Sequence, residues 1–78
     1  MKREAVESTT LRSVGYEPKS KVLEMEFESG VVYQYFEVPV GVFEALLRAE
    51  SKGRYFNREI RDDYECMRVG ANRRAERG

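Results

Sequence analysis

The sequence predicts an α+β fold: an antiparallel three-stranded meander followed by two helices packed on one face, with room for a short final strand. Three observations carry that prediction. Residues 22–27, VLEMEF, place Leu23, Met25 and Phe27 on one side and Glu24 and Glu26 on the other, the period-two pattern of a half-buried strand. Residues 31–38, VVYQYFEV, answer them across Glu28-Ser29-Gly30 with a second run of β-branched and aromatic side chains. Beyond Pro39 the period changes: Val42, Phe43, Leu46 and Leu47 form one helical stripe, widened by Ala49.

The remaining elements follow in order. Residues 1–9 show no periodicity and read as a flexible amino-terminal segment. Residues 10–16, TLRSVGY, make the first strand, and Glu17-Pro18-Lys19-Ser20 the turn after it, with proline presetting one dihedral. Pro39 suits the start of a helix, where its missing N–H costs nothing, and that helix runs over residues 40–51. Gly53 stands where a helix end in left-handed conformation favours glycine, with Arg48 and Lys52 near the negative pole of the dipole. A second, shorter helix covers 54–61, RYFNREIR, with Phe56 and Ile60 four apart on its buried side. Residues 64–69, YECMRV, offer the optional last strand. Residues 70–78 are a polar, basic, flexible tail, which leaves one domain over 10–69.

Hairpin register decides what Tyr33 and Tyr35 face, since a one-residue slip exchanges the two faces of the returning strand. With a two-residue loop, Ser29-Gly30, both tyrosines lie opposite Glu26 and Glu24 and form an exposed platform. With a three-residue loop ending at Gly30, Met25 opposes Tyr33 and Leu23 opposes Tyr35, and both rings join the core. Glycine in third place matches the longer loop, whereas Ser-Gly is a mediocre two-residue turn. The core-facing register is therefore expected. It sends Val22, Val32 and Phe36 to the other face, as a stripe either covered by a helix or open to another chain.

With 78 residues, 41% hydrophobic and 36% charged, the chain suits one soluble domain of modest stability. Apolar runs of a few residues exclude a membrane span, and the amino terminus lacks the apolar core of a secretory signal. A single cysteine excludes an intrachain disulfide and fits a reducing compartment, so a cytoplasmic location is expected. Net charge is zero, yet residues 1–47 carry five basic and eight acidic groups, and residues 48–78 carry nine and six. The positive excess of the second part raises the case for an anionic partner without deciding it, the plainer reading being a solvated face plus a basic tail.

Catalytic chemistry finds little footing. The sequence has no histidine, hence no usual general base at neutral pH. Cys66 has no histidine to activate it and reads as an inert, semi-buried side chain. Asp62-Asp63 lacks the spaced acidic loop of a cation site and reads as a solvated turn. No glycine-rich phosphate loop follows a strand. No enzyme activity, metal, cofactor or small-molecule substrate is indicated. What remains is a basic–aromatic group: Arg48, Lys52, Arg54, Tyr55, Asn57, Arg58 and Arg61. At helical spacing Arg54, Arg58 and Arg61 share a face able to follow a phosphate backbone, and Tyr55 adds a stacking ring. Equally, Glu50, Glu59, Asp62 and Asp63 are placed to neutralise it as ordinary surface pairs.

The order Leu23…Phe27, Gly30, Tyr33-x-Tyr35, Val38-Pro39, an apolar helix, Ala49-x-Ser51-x-Gly53 and Phe56-Asn57-x-x-Ile60-Arg61 resembles the KTSC domain over residues 10–69. That family takes its name from a segment at the carboxy terminus of some lysyl-tRNA synthetases and also occurs as small bacterial proteins. The resemblance implies a small α+β module, with RNA binding suggested by the synthetase attachment. No part of the chain resembles a synthetase catalytic domain. Within the shared motifs Gly30, Tyr33, Tyr35, Pro39, Gly53, Phe56 and Ile60 have structural readings. Ser51 is placed to bond backbone at a helix end, and Asn57 to bridge the junction between the helices. The leading expectation is a non-catalytic RNA-binding module using Arg48, Lys52, Arg54, Tyr55, Arg58 and Arg61. The alternative is a protein-interaction or self-association module using the Val22–Val32–Phe36 stripe or a sheet edge.

Overall fold

A computed structural model of the chain describes residues 2–71. Its sheet has five strands instead of the three-stranded meander with one addition: β1 (Glu4–Ala5), β2 (Leu11–Glu17), β3 (Val22–Phe27), β4 (Val31–Tyr35) and β5 (Cys66–Ala71). They lie in sequence order and every neighbouring pair is antiparallel. The helices, α1 (Val40–Arg48) and α2 (Lys52–Tyr55), occupy the long connection from β4 to β5, and α2 runs straight into a π-helical segment, Phe56–Ile60.

β1 corrects the expectation of a fraying amino terminus. Glu4 pairs with Val14 and Ala5 with Ser13, and Val6 N–H donates to the Arg12 carbonyl at 3.2 Å. Two residues are too few to show a period. What admits the segment is Gly15, because a Cβ there would collide with the Lys2 carbonyl oxygen and stand 2.9 Å from Arg3 Cγ. Residues 70 and 71, assigned to the tail by sequence, belong to β5; residues 72–78 of that tail lie outside the described residues.

The hairpin has the three-residue register. Leu23 opposes Tyr35 and Met25 opposes Tyr33, while Gly30 takes φ 94° and donates to the Phe27 carbonyl at 2.8 Å. Positive φ explains the glycine, since it costs L side chains about 1 kcal/mol or more. β4 stops at Tyr35, short of the expected residue 38, because Glu37 turns the chain through φ 56°. Val38 is then drawn inward, its N–H donating to the Lys21 carbonyl at 2.9 Å.

α1 starts after Pro39 and ends three residues before the expected limit, with Ala49 already extended at ψ 140°. Gly53 is therefore no helix terminator. It lies buried in the first turn of α2, where a Cβ would stand 3.0 Å from Thr10 Cβ and closer still to its hydroxyl. Close packing against the β1–β2 connection, not a left-handed cap, excludes a side chain there. Ser51 caps α2, its Oγ accepting from Arg54 N–H at 3.3 Å. The π segment is marked by Arg61 N–H, which donates to the Phe56 carbonyl five residues back at 2.9 Å.

Alternation puts Val14, Leu23, Met25 and Tyr35 on the sheet face that meets Leu46, Phe56 and Ile60, and these form one buried cluster with Leu11 and Val38. Four rings close it on one side. Phe56 meets Phe27 and Tyr35 edge to face at 5.2 and 5.7 Å, and Phe27 meets Tyr33 at 6.0 Å, arrangements that suit the ring quadrupoles. Tyr35 is 4% exposed and Tyr33 half-buried, so the Tyr-x-Tyr pair belongs to the core. At the opposite margin Tyr16 stacks on Phe43 at 5.1 Å and donates its hydroxyl to the Val38 carbonyl.

The other face is charged. Arg3 bonds Glu24 at 2.8 Å and approaches Glu26 at 3.9 Å; Ser13 donates to Glu26 at 3.0 Å and Gln34 to Glu24 at 2.8 Å. The expected apolar stripe on this face is not an open surface, since Val32 is buried and Val22 and Phe36 are half-buried. Large exposed apolar side chains are Val40, Met67 and Val69. No helix among the described residues is long and apolar enough to cross a membrane.

Candidate nucleic-acid interface

The connection between α1 and α2 is only residues 49–51, so the end of one helix and the start of the next form the two sides of a notch. α1 supplies Arg48, α2 supplies Arg54 and Tyr55, and the π segment supplies Arg58. With Ala45, Ala49, Glu50 and Ser51 they line a cleft of about 370 Å³. The guanidinium carbon of Arg58 lies 5.8 Å from the centre of the Tyr55 ring, within cation–π range. Arg58 also pairs with Glu59 at 3.0 Å, whereas Arg48 and Arg54 form no ion pair among the described residues. Burial and then the Glu59 carboxylate push the Tyr55 hydroxyl above the ordinary tyrosine range, with Arg58 opposing. The arrangement offers positive charge and an aromatic body in one concavity, with Glu50 also in its lining.

Of the six expected contact residues the cleft gathers four, Arg48, Arg54, Tyr55 and Arg58. Lys52 turns away, donating from Nζ to the Ala49 carbonyl at 3.1 Å and lining a separate cleft with Glu7, Ser8 and Glu50. Arg61 is displaced by the wider π turn, which spoils the α-helical spacing that aligned it with Arg54 and Arg58. It donates to Asn57 Oδ1 at 3.3 Å and faces Asp62 at 3.8 Å. Asn57 thus serves Arg61 on the exposed surface and does not bridge the helix junction. Sequence reasoning missed Ala45, Ala49, Glu50 and Ser51 as walls of the cleft; Ser51, a favoured capping residue, was the available signal.

Cys66 is exposed on β5, which corrects the semi-buried reading. It sits opposite Tyr35, whose hydroxyl is pushed well above the usual range by burial first and then by Cys66. Asp62 and Asp63 lie in the exposed turn after the π segment, and no group of three potential metal ligands occurs among the described residues.

The family model for the KTSC domain matches residues 7–64. The chain belongs to the KTSC domain family. A KTSC domain protein of Yersinia pestis, known from its crystal structure, superposes with a TM-score of 0.86 at 35% identity, covering 88% of this chain and 97% of that one. An uncharacterized protein of Stutzerimonas stutzeri is 48% identical over 64 residues, 82% of this chain and 90% of its own length. The KTSC domain is also similar to a segment of a lysine–tRNA ligase from a Nostoc species, 41% identical over 59 residues; the match spans 76% of this chain and only 10% of the ligase.

Proposed function

We propose that this KTSC domain is a non-catalytic, cytoplasmic nucleic-acid-binding module, with RNA as its first partner. Arg48, Arg54, Arg58 and Tyr55 make the contact. The observation that supports this best is that three arginines and one tyrosine line a single cleft. Similarity to a segment of proteins named lysine–tRNA ligase adds to it, and the absence of histidine from the sequence favours binding over catalysis. Titration with single-stranded and structured RNA at two salt concentrations tests the reading. Phosphate contacts release counterions, so affinity is expected to fall with added salt and to weaken in Arg54→Glu and Arg58→Glu. An absence of binding at low salt overturns it.

A second reading, self-association, is favoured by β5. That strand is paired on one side only among the described residues, and it exposes half of Met67 and 43% of Val69. Sedimentation across a concentration series should then show a dimer that Met67→Lys abolishes. A strict monomer at every concentration counts against it.

A further inference from the structure

We propose that the cleft takes one unstacked nucleotide from a single strand, with its phosphate between Arg48 and Arg54 and its base against the Tyr55–Arg58 pair. The inference rests on the nucleic-acid reading and narrows its ligand class. Confinement is the first argument. A duplex reader spreads its contacts over an extended surface, about 16 base pairs in double-stranded RNA domains. Here the grouped cations lie in one notch of about 370 Å³, near the small end of the ~300–1,000 Å³ typical of small-molecule sites. The adjoining depression, which shares Glu50 and Ser51 with the cleft, sets Glu7 beside Lys52 and so interrupts the positive surface.

The Tyr55–Arg58 pair supports a stacked base. Tyr55 is packed partly against the core, and the Arg58 guanidinium lies 5.8 Å from its ring centre. Bases of unpaired strands stack on both aromatic rings and guanidinium planes, and here the guanidinium lies over the ring, so the two offer successive layers of one stack. Glu50, a lining residue, supplies an acceptor for an exocyclic amino group.

The test is fluorescence anisotropy of the full chain with three probes: a single-stranded RNA oligomer, the same length of abasic backbone, and a duplex. The base-bearing single strand should bind about 5- to 150-fold more tightly than the abasic one, the range that stacking of one base supplies. Its log–log salt slope should stay at about −0.7, the contribution of one phosphate neutralised on a single strand. Tyr55→Leu keeps apolar volume and should abolish the preference for bases; Arg58→Met, at an exposed position, should reduce it without touching the core. Equal binding of abasic and base-bearing strands, or of duplex and single strand, overturns the inference while the nucleic-acid reading stands. Persistence of base preference in both folded variants overturns it as well. If no probe binds at low salt, the broader reading fails and the inference with it.

Discussion

One face of the sheet is apolar and roofed by helices; the other is a lattice of carboxylates paired with Arg3 and Arg12. On the first, Leu23, Met25 and Leu46 are wholly buried and four rings interlock. On the second, Glu24 and Glu26 keep only 12% and 13% of their side-chain surface exposed, because Arg3 and the chain around it lie across them. The contrast shows two ways to cover a small sheet. Apolar packing depends on volume, and each lost methylene is felt. The charged side depends on geometry that a few long side chains maintain against solvent and their own entropy.

The difference predicts a hierarchy of effects. Leu46→Ala should cost about 2–5 kcal/mol in denaturant unfolding, the range for a core leucine replaced by alanine. A cost under about 1 kcal/mol would mean that the helices contribute little to the covered face. Gly15→Ala should come next at about 1–3 kcal/mol, by forcing the Lys2 backbone off the charged face. Its signature is faster amide exchange in β1 with β3 and β4 unchanged. Alkaline pH weakens the apolar side alone. Tyr35 is held neutral by burial, so its folded pKa lies above its unfolded value of 10.0. Its contribution is complete below pH 10 and is lost as pH rises above that value, by at most about 1.4 kcal/mol per pH unit. Unfolding curves across that interval should show the decline in wild type and much less of it in Tyr35→Phe. Arg3→Ala should have the smallest effect, about 0.5–1 kcal/mol, reduced by added salt.

How far the sequence revealed this architecture depended on whether a side chain announced its surroundings. The hairpin register was legible because Gly30 fits only one loop length well, and with it the inward placement of Tyr33 and Tyr35. The apolar stripe of α1 was legible for the same reason. β1 was not, since its cause is a missing side chain on a different strand, at Gly15. Gly53 misled because a glycine needed for close approach to Thr10 looks the same, in sequence, as one needed for positive φ. Around the cleft, the spacing that grouped Arg54 with Arg58 agrees with their shared lining, and Tyr55 was added as a ring beside them. Arg61 was wrongly grouped because a π turn leaves no mark in a pattern read at 3.6 residues per turn. Lys52 was misplaced because the early end of α1 rotates it toward the Ala49 carbonyl.

The strand order carries a kinetic consequence. β1 to β4 each meet a partner across a short connection, so their pairing closes small loops at small entropic cost. β5 joins β4 only after residues 36–65, which hold both helices, have been gathered in. Pairing of β5 with β4 is therefore expected to be the late step of assembly. Pulse-labelling by hydrogen exchange would find the amides of residues 66–71 protected last, and contacts that slow unfolding most would be those that clasp this edge.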